Sequence, residues 1–124
     1  MIEPWVTPWS RLVYQNLHHE PFLPDAAEWR FPRTGPMSSA NGALPWIVFD
    51  RDRARFEHEF PEWRIASIEL LMPFRYLVSG GVTMRSLAPG WTFGVWRSLE
   101  RALNPWMNRL AMFARIVLQR TAYD

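Results

Sequence analysis

The chain has no cysteine and no lysine, and only six glycines. Without cysteine there is no disulfide, no thiolate metal site and no cysteine nucleophile. A reducing compartment fits, and a cytoplasmic location is the expectation. Without lysine every strongly basic side chain is an arginine, which keeps its proton at any ordinary pH. The isoelectric point is therefore high although the formal charge is only +2. The region densest in arginine is diluted by Asp50, Asp52, Glu57, Glu59, Glu62 and Glu69. Single-stranded nucleic acid needs arginines and aromatics without that dilution, so nucleic acid is not an expected partner. Long apolar runs are missing too, and no stretch approaches the roughly 20 residues of a membrane span. Met1-Ile2-Glu3-Pro4 lacks a basic region followed by an apolar run, so no signal peptide is expected. The glycines, at 35, 42, 80, 81, 90 and 94, form no GxGxG turn.

What is present is a chain of 124 residues, 48% hydrophobic, with eight tryptophans. That argues for a folded core and against disorder. The length suits one modest domain spanning residues 1–124. Eleven prolines punctuate it, so regular elements should be short.

Met1 to Pro4 reads as the tail of a buried strand with a carboxylate at its tip. Thr7-Pro8 opens a helix, with Thr7 as cap and Pro8 in the first turn. Trp9, Leu12, Val13 and Leu17 are its expected apolar stripe, and it should fade near His18-His19. Pro21 to Pro36 is expected as an irregular lid or binding loop. Ser38 or Ser39 should cap a short helix from Leu44 to Phe49, and Asp50 another from Arg51 to Phe60. Phe56 and Phe60 then share a face, and Pro61 ends the helix. Trp63 to Leu71 reads as a strand through Ile65, Ile68 and Leu70. Phe74 to Val78 reads as a helical turn before a break at Ser79-Gly80-Gly81. Trp91 to Met112 is expected as an amphipathic helix, split or kinked at Pro105, with Val95, Leu99, Leu103, Trp106 and Leu110 at helical spacing. Phe113 to Thr121 closes the chain as a strand, antiparallel to Trp63–Leu71. One strand tip and two strands make a small sheet for this length. Further strands are expected upstream, with Met1 an internal position of a longer reading frame.

In order along the chain stand Glu3-Pro4-Trp5-Val6-Thr7-Pro8-Trp9-Ser10, His18-His19-Glu20-Pro21-Phe22, Ser38-Ser39-Ala40-Asn41, Phe49-Asp50-Arg51-Asp52-Arg53-Ala54-Arg55-Phe56-Glu57 and Ser79-Gly80-Gly81. With the strand and helix order, these phrases resemble the C-terminal portion of class I S-adenosylmethionine-dependent methyltransferases. The resemblance implies an α/β fold: the C-terminal part of a Rossmann-like methyltransferase, ending in an antiparallel strand pair flanked by helices. It implies S-adenosylmethionine as cofactor and a small molecule or lipid as methyl acceptor. The family's glycine-rich turn and the acidic residue after its second strand have no counterpart here. The cofactor-binding half is expected to be absent from these residues, and the piece alone to be inactive, with a sheet edge open to association.

Within that reading His18, His19 and Glu20 are the candidate catalytic groups, since histidine titrates near neutrality. A helix C-terminus explains the histidines equally plainly. No metal site is expected, because adjacent histidines seldom converge on one ion. Glu3, Trp5, Tyr14, Ser38, Ser39 and Asn41 are the candidate acceptor-binding residues. Glu3 can instead cap the following helix, a serine can cap the next, and Trp5, Trp9, Tyr14 and Phe22 can simply pack. Asp50 to Glu59 reads as a solvated helix face. A second reading makes the chain a non-enzymatic module that binds a membrane surface or a partner. Trp91, Phe93, Trp96, Trp106 and Met107, interleaved with Arg97, Arg101 and Arg109, support it.

Overall fold

The computed structural model describes residues 1–30, 40–71, 74–75 and 89–121. Three strands form one mixed-order sheet. β1 (Ile2–Pro4) and β2 (Trp63–Leu71) both pair antiparallel with β3 (Phe113–Arg120), giving the order β1-β3-β2. β1 and β2 therefore run parallel to each other, with the last strand of the chain inserted between them. Helices pack on one face, so the domain is mixed α/β around a three-stranded antiparallel sheet.

The covered face is apolar because β3 alternates. Ala114 and Ile116 are buried, while Arg115 and Val117 point to solvent. β2 supplies Ile65, Ile68 and Leu70 to the same face, paired with Leu118, Ile116 and Ala114. The odd step from 65 to 68 is accommodated by a bulge between Ile65 and Ser67. The outer face is polar: Arg115 pairs with Glu69 at 2.5 Å and Arg64 with Gln119. One solvated face is ordinary for antiparallel pairing.

β1 differs from the expected buried strand. It is an edge: Met1 and Ile2 are more than half exposed, and among the described residues no strand meets its far side. It is nonetheless held, since the Met1 amine and carbonyl both bond to Ile116 at 2.9 Å.

α1 (Pro8–Leu17) starts where Thr7 and Ser10 form a reciprocal capping box, and it ends before His18. Its buried side is Ser10, Val13 and Tyr14. Leu12 and Leu17, expected in the stripe, are 58% and 64% exposed, because the inward edge runs along Ser10, Val13 and Tyr14 and ends there. α2 (Leu44–Trp46) runs into a π-helical turn at Ile47–Arg51, then α3 (Arg53–Glu59). Neither start has a side-chain cap, so Asp50 does not cap α3; it sits exposed inside the π turn. Phe56 and Phe60 do share a face, with ring centroids 5.4 Å apart. α4 (Phe93–Ala102), preceded by a 3-10 turn at Gly90–Thr92, is followed by a second at Asn104–Trp106 and α5 (Met107–Leu110). The expected long helix is thus split around Pro105, which lacks the N–H an α-helix needs there. The turn expected over 74–78 falls mostly outside the described residues, as does Gly80-Gly81.

Two core clusters join through Trp46. One gathers Val13, Tyr14, Phe22, Ile47 and Met112; the other Trp5, Ala114 and Ile116. Between them runs a line of buried hydrogen bonds. Ser10 Oγ donates to the Trp5 carbonyl at 2.5 Å, and Thr7 Oγ1 to the Ala111 carbonyl at 2.7 Å. The Thr7→Val substitution keeps the shape and removes the hydroxyl, leaving the Ser10 N–H and Ala111 carbonyl unmet. It should cost about 2 kcal/mol in urea denaturation, and Thr7→Ser clearly less.

Candidate functional site

Two hollows open side by side at the C-terminal end of β1. The larger, about 650 Å³, is walled mainly by apolar side chains: Trp29, Leu44, Val48, Phe49, Phe56 and Phe60. Its polar lining residues are Glu3, Glu20 and Asn41. The smaller, about 80 Å³, lies against Tyr14, His18, Phe22 and Phe113. Pro4, Glu20 and Gly42 border both, so the two adjoin. In open α/β sheets the carboxyl ends of strands are where ligands bind. A large apolar volume with few polar groups is the usual form of a small-molecule site.

One wall is held by a network that sequence reasoning missed. Trp29 Nε1 donates to Asp52 Oδ2 at 2.9 Å, and the Arg55 guanidinium lies 4.2 Å over the indole ring. Arg51 bonds to Asp52 at 2.8 Å and donates to the Pro24 and Ala26 carbonyls at 2.9 and 2.7 Å. The loop bearing Trp29 is thereby stapled to the start of α3. The hydrogen bond from Arg51, then that from Trp29 and the nearby arginine charges, hold the Asp52 carboxyl at about 2, well below its ordinary 3.8. The same bond raises the Arg51 guanidinium. Only the three-residue spacing of Asp52 and Arg55 hinted that they share a helix side. The rest of the segment is the solvated face expected, with exposed pairs Arg53–Glu57 and Arg55–Glu59 at 2.8 and 2.7 Å. Exposed pairs of this kind contribute little.

Among the candidate catalytic groups, Glu20 borders both hollows and His18 the smaller. His18 Nδ1 accepts the Glu20 backbone N–H at 3.2 Å, so the neutral ring carries its proton on Nε2. His19 is exposed and borders neither hollow; its ring stacks on His18 at 4.9 Å.

The candidate acceptor-binding residues scatter. Glu3 lines the large hollow. Tyr14 is 4% exposed and donates to the Met112 carbonyl at 3.2 Å, its ring facing the small hollow. Trp5 is equally buried, packs on Ala114 and Ile116, and borders a separate surface recess beside Ile65 and Ile68. Trp9 packs on the core beside Phe74. Asn41 lines the large hollow, and its amide is engaged in holding the chain: Oδ1 accepts from the Leu23 and Ala43 N–H groups, and Nδ2 donates one N–H to the Leu23 carbonyl. It ties Leu23 to the residues just before α2. Ser38 and Ser39 lie outside the described residues.

Of the glycines that could cradle S-adenosylmethionine, Gly42, Gly90 and Gly94 are among the described residues. The family's cradle needs glycines where ligand approaches backbone. A Cβ on Gly42 would meet Phe22 and the Pro21 carbonyl at 3.4 Å, and one on Gly90 or Gly94 would meet nothing within 4 Å. None of the three follows a strand. Among the described residues no three histidine or carboxylate groups could hold a metal ion. Comparisons with family models, curated proteins and solved structures find no match to this chain.

The Asp52 network gives a pH dependence of definite sign. A carboxyl whose folded pKa is depressed stabilises fully above its unfolded value and loses that contribution as pH falls through the folded one. Between roughly pH 4 and pH 2 stability should fall more steeply in the parent chain than in Asp52→Asn. Acid titration followed by tryptophan fluorescence measures the difference.

Proposed function

We propose that the chain is the acceptor-side portion of a class I S-adenosylmethionine-dependent methyltransferase that acts on a small molecule or lipid. The observation that carries the reading is the sheet order together with what lies at its end. The resemblance implies a chain that ends in an antiparallel strand pair, and β2 and β3 are paired in that way, with β3 lying between β1 and β2. The strand tip Glu3-Pro4 then opens on an apolar hollow large enough for an acceptor.

In this reading the residues divide the work by chemistry. Trp29, Val48, Phe49 and Phe56 hold the acceptor's apolar body and exclude water from it. Glu20, which borders both hollows, takes the proton that the acceptor's nucleophilic atom gives up. His18 donates from Nε2 to orient the polar group. Arg51, Asp52 and Arg55 touch no acceptor; they position Trp29. The turn that holds the cofactor belongs to sequence outside these 124 residues.

The genomic DNA directly upstream tests this. An in-frame extension carrying a glycine-rich turn after a strand is expected, and an in-frame stop codon immediately before Met1 would remove the reading. The 124-residue chain alone should give no measurable heat with S-adenosylmethionine in calorimetry; tight binding would put the cofactor site within it. In the extended protein Glu20→Gln should lower kcat about 100-fold while leaving cofactor affinity unchanged.

A further inference from the structure

α4 faces the wrong way for a core helix. Trp96 and Leu103 are half-buried and Glu100 is 4% exposed, so the 96–100–103 side points inward. The neighbouring side, Val95, Leu99 and Ala102, is apolar and faces solvent. Trp91 in the turn before the helix and Trp106 in the turn after it are exposed as well, at 80% and 55%. Phe93, Arg97 and Arg101 occupy the third side, all exposed.

Charge decides what would cover such a surface. Glu100 is the only carboxylate between residues 89 and 110. It is buried and engaged, accepting the Arg75 backbone N–H at 2.8 Å and pairing with the Arg75 guanidinium. Arg97, Arg101 and Arg109 remain, exposed, with no exposed carboxylate in the segment. A second copy of the face would set these arginines against each other. An anionic lipid surface would not, and it would take the tryptophans at the headgroup level, where indoles are favoured. We infer that α4 and its flanking turns dock the protein on an anionic membrane surface, with Trp91, Val95, Leu99 and Trp106 inserted and the arginines against lipid phosphates. Among the described residues no helix is long and apolar enough to cross a membrane, so the contact is peripheral. The inference stands independently of methyl transfer, since it uses none of the hollow's residues.

Vesicle sedimentation with the 124-residue chain tests it. The chain should pellet with phosphatidylcholine vesicles containing phosphatidylglycerol and stay in solution with phosphatidylcholine alone. The pelleted fraction should fall with added salt. Arg97→Gln with Arg101→Gln should weaken binding on the order of 30-fold. Trp91→Ser with Trp106→Ser should weaken it at least about tenfold. Leu12→Ser with Leu17→Ser, equally exposed but on α1, should change nothing. Near-ultraviolet circular dichroism checks that each variant is folded. Failure to pellet with the anionic vesicles overturns the inference. So does undiminished binding by the tryptophan variant, or a dimer in ultracentrifugation that the same variant dissolves.

Discussion

Six residues at the exit of β1 hold the rest in place. Trp5 donates its N–H to the Met112 carbonyl at 2.9 Å, and Ser10 Oγ returns a bond to the Trp5 carbonyl. Thr7 and Ser10 cap each other, Thr7 reaches the Ala111 carbonyl, and the Tyr14 hydroxyl meets Met112 from the next turn. Every one of these groups is buried. In such a place a polar group without a partner costs more than the bond itself contributes, so the knot admits one arrangement. It joins residues a hundred positions apart and fixes α1 against the start of β3. The direction of β1, and hence what lies at its tip, follows.

The depression at that tip has two kinds of wall. The α1 side is rigid because it belongs to the knot. The Trp29 side belongs to a loop, and loops hold a shape only when something outside them fixes it. Arg51 and Asp52 do this with carbonyl and indole contacts, and Arg55 covers the ring. The charges of α3 are thus divided. Those at its beginning organise a wall, and those farther along are solvated.

Local signals were legible where one residue type decides the structure. Thr7-Pro8 marked the start of α1, Pro61 the end of α3, and Pro105 the split after α4. Both long strands were readable from their β-branched and aliphatic residues, with bounds within one residue. Which side of a helix faces inward was not legible. Leu12, Leu17, Val95 and Leu99 look like core in sequence yet are exposed, while Ser10 and Glu100 look solvated and are buried. Ser10 is buried with its hydroxyl donating to the Trp5 carbonyl, and Glu100 with Arg75 as a partner distant in sequence, which no local pattern encodes. The site was half legible for the same reason. Glu3 and Glu20 stand beside prolines that mark strand and helix ends, whereas Trp29 depends on tertiary contacts.

The π-helical turn at Ile47–Arg51 carries an extra residue compared with regular helix. Each residue of an α-helix advances the direction of its side chains by about 100°. The insertion therefore sets the phase of α3 relative to α2: Leu44 and Ile47 stay in the core, and Phe56 and Phe60 swing round to close the hollow. Deleting a single position there would leave the first two undisturbed and rotate both phenylalanines off the depression. The volume at the strand tip is in this sense metered by one peptide unit.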